Sequence, residues 1–105
     1  MSRHLLGPFE RAVMLVATEL GDDAYGAVIR RELVRILGRD VAVGAIYTTL
    51  ARLESKGYLR SFILESRPKR GGRKRRAYET TARGAAMLAR FEQVYRDLAS
   101  IRASV

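Results

Sequence analysis

One hundred and five residues, 11.8 kDa, leave room for one compact domain of ordinary globular composition, 48% hydrophobic and 30% charged, and exclude a two-domain enzyme. The absence of cysteine excludes a disulfide framework, a thiolate nucleophile and a zinc site built on sulfur. Twenty basic against eleven acidic residues give a net charge of +9, distributed unevenly as +1 over residues 1–57, +6 over 58–80 and +2 over 81–105.

Pro8 suits the first turn of a helix, where its missing N–H is not needed, and Phe9, Ala12, Val13, Val16, Ala17 and Leu20 then recur at helical spacing, predicting a helix over about 8–20. Met14 and Leu15 widen its apolar surface, so it should be covered on more than one side. After Gly21, Asp22 or Asp23 is expected to cap a second helix. Its Tyr25, Val28, Ile29, Leu33 and Ile36 would face inward and Arg30, Arg31 and Arg35 outward, as a solvated face, until Gly38 stops it. A short turn, Arg39 to Ala42, leads to a third helix over about 43–56 that buries Ile46, Leu50 and Leu53 and closes at Gly57. At 100° per residue, Gly44, Ala45, Thr48, Arg52 and Ser55 lie opposite that stripe.

Residues 58–65 and 75–80, rich in Tyr, Phe, Ile and Thr, flank a segment carrying Pro68 and Gly71-Gly72, which reads as a β-hairpin with a long tip. Seven cations and no acid between Arg67 and Arg76 repel one another too strongly for a packed element and suit an arm that orders on an anion. Thr81 is the expected N-cap of a final helix. Met87, Phe91, Val94, Leu98, Ile101 and Val105 repeat along it at alternating spacings of four and three, a heptad-type seam. A core this small makes dimerisation through that seam the expected use; packing onto its own domain is the competing reading. Residues 1–80 would then form one unit of three helices and the hairpin, and 81–105 a dimerisation helix within the same compact body.

Two helices joined by a tight turn, the second with small and polar residues outward, have the makeup of a helix-turn-helix, and the basic hairpin makes it a winged one. The expected fold class is α+β, mainly helical. Gly44 and Ala45 permit close approach to base edges, Thr48, Thr49 and Arg52 supply hydroxyl and guanidinium contacts, and Lys69, Arg70, Arg73, Lys74 and Arg75 track phosphate or enter a minor groove. Tyr47 sits at the edge of the buried stripe, where packing beneath the wing and DNA contact are both open to it. Arg52 has an alternative as a solvated partner of Glu54 or Asp40. Tyr25 and Tyr78 read as core residues. No metal or cofactor is expected: His4 is the sole histidine, and Gly71-Gly72 lacks the strand-to-helix setting of a phosphate-binding loop. With no nucleophile beside a base, no Walker loop and no ligand cluster, a non-enzymatic protein is expected, and because no run approaches the roughly 18 apolar residues that a membrane span needs, a soluble, cytoplasmic one. A basic RNA- or ribosome-associated protein is the alternative, disfavoured by the lack of an RNP-type aromatic motif or GXXG loop.

Ala24-Tyr25-Gly26, the run from Val43 to Leu50 continuing into Arg52-Leu53-Glu54 and Lys56-Gly57, then Gly71-Gly72-Arg73, Tyr78, Thr81 and Gly84 resemble the PadR-type transcriptional regulators over roughly residues 7–90. The resemblance implies a homodimeric winged-helix repressor on a palindromic promoter site, dimerised through terminal helices. It extends to a small-molecule effector for some members, though no tryptophan is present here to nominate a stacking platform. Two departures stand out: Thr48 occupies a position that is proline in many members, and Ala42 one that is commonly a capping serine.

Overall fold

The computed structural model of the chain describes residues 6–65 and 74–104. Helix α1 (Pro8–Leu20) is followed by a 3-10 turn (Gly21–Asp23), α2 (Gly26–Leu37), α3 (Val43–Ser55), an antiparallel hairpin of β1 (Leu59–Glu65) and β2 (Lys74–Thr80), and α4 (Ala82–Ser104). The fold is mainly helical α+β, in the element order that the sequence predicts.

Local chemistry explains the boundaries. Pro8 opens α1, and the Gly7 N–H donates to the Glu10 carboxylate at 3.2 Å. Asp22 and Asp23, expected as caps, lie instead inside the 3-10 turn, and α2 begins at Gly26 after an extended Tyr25. Two non-helical residues, a turning Ala24 and the extended Tyr25, intervene because β2 engages them: the Tyr78 N–H donates to the Ala24 carbonyl at 2.9 Å, and Tyr25 bridges Ala77, adding a third strand-like edge to the hairpin. Gly57, at φ +82°, ends α3 in a Schellman arrangement, with its N–H on the Glu54 carbonyl and the Tyr58 N–H on the Leu53 carbonyl. Thr81 caps α4 as expected, accepting from the Gly84 N–H at 3.0 Å, while its hydroxyl donates to the Gly57 carbonyl at 2.6 Å and ties the end of α3 to the start of α4.

Val13 and Met14 of α1, Ile29 and Leu33 of α2, Ile46, Leu50 and Leu53 of α3 and Leu59 of β1 are all buried to 1% exposure or less, and Ala24, Val41, Tyr58 and Tyr78 close the core around them. Two inward assignments fail at its edge. Ile36 is 59% exposed and Leu15 41%, because the last turn of α2 and the outer flank of α1 run past the elements that would cover them. Gly84 permits the close crossing of α4 over the hairpin base: a Cβ there would overlap the Tyr58 carbonyl oxygen and stand 3.1 Å from Met14 Cε. Beyond that crossing α4 runs on with little cover, and the molecule is 61 Å long against 29 and 22 Å across.

Candidate nucleic-acid interface

Helix α3 carries its core stripe on Ile46, Thr49, Leu50 and Leu53, and the exposed residues of the opposite side are Gly44, Ala45, Thr48, Ala51, Arg52 and Ser55. Thr49 is thus a correction: at 5% exposure it belongs to the buried stripe and does not present its hydroxyl to a ligand. Its position between Ile46 and Leu53, at i+3 and i−4, already carried that signal. Gly44 has open space around it, and no side-chain acceptor among the described residues engages Arg52. The two acids expected to compete for that guanidinium are committed elsewhere, Asp40 to Arg30 and Glu54 to Ser61.

The orientation of α3 is set from three sides. Arg30, expected on a solvated face, instead clamps the turn between α2 and α3: its Nε donates to the Val41 carbonyl at 2.6 Å and its guanidinium pairs with Asp40 at 2.9 Å, while Asp40 also accepts from the Val41 N–H. This side-chain bracing stands where α3 starts without a capping hydroxyl, at Ala42. At the other end Lys56 pairs with Glu10 of α1 at 3.2 Å. Toward the hairpin, the Glu54 carboxylate accepts from the Ser61 N–H and hydroxyl, and Arg76 donates to that same hydroxyl at 2.9 Å.

Tyr47 fills the angle between α2 and the hairpin. Its ring lies directly on Gly26, where a Cβ would come within 2.5 Å of the phenolic oxygen, which explains why the second helix opens with glycine. The residue is still 42% exposed, so it packs against α2 and reaches solvent on the α3 surface at once. Tyr78, beneath, is core as expected. Burial raises its pKa above the ordinary tyrosine value, Arg76 opposing the shift and Tyr47 and Glu54 adding to it.

At the base of the hairpin Arg60 pairs with Glu79 across the strands, and that hydrogen bond holds the guanidinium pKa above its ordinary value. Arg75 lies with its guanidinium over the Tyr25 ring, 3.7 Å from the centroid. Tyr25, expected as core, is half-buried and serves as the floor for that cation. Lys69, Arg70 and Arg73 lie outside the described residues, and Lys74 begins β2.

The α4 seam divides. Met87 and Phe91 are partly buried against the chain's own core, and Val94 is half-buried. The Arg11 guanidinium of α1 sits against the rings of Phe91 and Tyr95, 5.1 and 5.6 Å from their centroids. Leu98 and Ile101, each 60% exposed, continue the stripe with Tyr95 at 63%, so the first two positions are partly buried within the protomer and the later ones are solvent-exposed. Val105 lies outside the described residues. Among the described residues no helix is long and apolar enough to cross a membrane.

A model of the transcriptional regulator PadR-like family matches residues 13–90. Among solved structures, a PadR-like transcription factor from Bacteroides fragilis superposes with a TM-score of 0.77 at 24% identity, over 91% of this chain and 87% of that one. A PadR family regulator from Eggerthella lenta gives 0.68 at 28% identity over 91% and 83%, and one from Clostridium difficile R20291 gives 0.65 at 25% over 90% and 95%. No curated protein matches the sequence.

Proposed function

This chain belongs to the PadR-like family of transcriptional regulators, and from that premise we propose that it is a homodimeric repressor binding double-stranded DNA at a pseudo-palindromic promoter site. The observation that carries the reading is the outward face of α3, small at Gly44 and Ala45, polar at Thr48 and Arg52, and braced beside a hairpin segment holding two thirds of the net positive charge. Such a face fits a major groove. Thr48 and Arg52 meet base edges there, Tyr47 lines the flank, and Lys69, Arg70, Arg73, Lys74 and Arg75 neutralise phosphates alongside. Leu98 and Ile101, with Val94, pair two copies across a two-fold axis, while Met87 and Phe91 anchor each α4 to its own core. Half-sites then lie about one helical turn apart.

The test separates reading from holding. On an operator selected from genomic fragments, Arg52→Ala should cost about 1–3 kcal/mol and relax preference at one base pair, leaving nonspecific binding nearly unchanged. Arg73→Ala with Lys74→Ala should weaken binding to most sequences alike and flatten the salt slope by up to about two units. A wild-type affinity for duplex DNA that does not change with salt would refute the reading.

A further inference from the structure

Three arginines stand in the described part of the hairpin, and two of them are engaged by neighbouring side chains: Arg60 by Glu79 and Arg76 by Ser61. The third, Arg75, has its guanidinium over the ring of Tyr25, and among the described residues none of its donors meets an acceptor. Stacking uses the flat face of a guanidinium and leaves its N–H edge free, and it holds a rotamer-rich side chain in one place before any ligand arrives.

The ring beneath is itself fixed by bonds that do not involve its side chain. Tyr25 bridges Ala77 of β2, its N–H donates to the Asp23 carbonyl at 2.8 Å, and its carbonyl accepts from Ile29 in the first turn of α2. The next residue, Gly26, carries the Tyr47 ring of α3. Arg75, Tyr25, Gly26 and Tyr47 therefore form one continuous line from the hairpin to the exposed surface of α3. An exposed planar fork of unused donors on a strongly basic protein is matched by a pair of anionic oxygens, as on a phosphodiester.

We propose that Arg75, held flat against Tyr25, is a preformed phosphodiester contact at the root of the wing, and that Tyr25 is its positioning residue. This deepens the DNA-binding reading and rests on it. The experiment measures the affinity of the whole chain for duplex DNA of arbitrary sequence across a salt series, so that no operator is needed. Arg75→Ala should weaken binding about fivefold and reduce the salt slope by about 0.9, one phosphate's share. Tyr25→Leu should weaken binding about threefold, the scale of a surface cation–π contact, whereas Tyr25→Phe, which keeps the ring, should bind as wild type. In the Arg75→Ala background Tyr25→Leu should cost nothing further. Arg75→Lys, a surface change that spares the fold, should keep the salt slope and lose affinity as Tyr25→Leu does. Additive losses in the double variant, equal losses for Tyr25→Phe and Tyr25→Leu, or wild-type binding by Arg75→Ala or Arg75→Lys would each overturn the assignment. Wild-type protein that fails to bind duplex at low salt would instead overturn the DNA-binding reading and take this assignment with it.

Discussion

Replacing Gly26 by alanine sets two physical effects against each other. Alanine at an ordinary helical position gains roughly 0.5–1 kcal/mol over glycine, because glycine loses more backbone freedom on folding. Here the added Cβ would stand 2.5 Å from Tyr47 Oη, 2.6 Å from Cε1 and 2.7 Å from Cζ, close to 1 Å inside ordinary contact. The obstacle is the far end of a side chain that is 42% exposed, so the ring can swing outward instead of forcing α2 away from α3. The two effects nearly cancel, and thermal unfolding should place Gly26→Ala within about 1 kcal/mol of wild type. The cost appears in binding. A ring displaced toward the outward surface of α3 enters the space a base pair would occupy, and titration of operator DNA should show a loss of about tenfold, near the value of one good base contact. Gly26→Ala combined with Tyr47→Ala should recover part of that loss and melt no lower than Tyr47→Ala alone, because the ring that met the added Cβ is gone. A destabilisation beyond about 3 kcal/mol would show that the ring does not yield, and unchanged operator affinity would show that the Tyr47 surface does not touch DNA.

At Gly84 the obstacle is backbone, the Tyr58 carbonyl, so Gly84→Ala should destabilise the fold by about 1–3 kcal/mol despite alanine's helix preference, as measured by denaturant unfolding. Leu98→Glu places a charge on a residue that is 60% exposed in the single chain, so helical content should persist. The dimer should weaken by at least about 3 kcal/mol, roughly a hundredfold, as two leucine contacts are lost; sedimentation showing unchanged association would exclude this seam. The raised Tyr78 pKa means that the folded chain holds that proton more tightly than the unfolded one, so the phenol's contribution to stability is whole below about pH 10 and lost as pH rises past its folded value. Tyr78→Phe should therefore flatten the alkaline decline in melting temperature while leaving its value at neutral pH close to wild type.

Features set by local chemistry were legible in the sequence. Pro8 and Leu20 bound α1, Gly38 and Gly57 stop α2 and α3 at positive φ, and Thr81 caps α4, all where composition places them. What periodicity could not supply was competition between elements for the same backbone. Two aspartates ahead of an apolar run are good capping residues, yet the Ala24–Tyr25 backbone is taken by β2, and the start of α2 moves to Gly26. Arg30 read as one of three equivalent surface cations because its acceptors, the Val41 carbonyl and Asp40, are brought to it only by the turn it stabilises. Thr49 is different in kind: its place in the buried stripe was present in the spacing, and its hydroxyl drew it to the wrong face.

Along the last helix one stripe is packed on the protomer's own core at Met87 and Phe91 and exposed at Leu98 and Ile101. A heptad spacing records that an apolar ridge is covered, not what covers it. Along α4 the cover changes: α1 supplies it at Met87 and Phe91, where Arg11 lays its guanidinium against the aromatic rings, and withdraws before Leu98. Had the ridge served the protomer alone, its apolar character would be expected to lapse where α1 ends. It continues instead through Leu98 and Ile101 in a part of the helix that projects from the body, where exposed leucine and isoleucine gain nothing from water. A second copy related by a two-fold axis would cover this patch with the same patch, so an interface of few residues is counted twice. In the proposed dimer the same axis would relate the two α3 faces, so that burying Leu98 and pairing those helices on DNA would be one event.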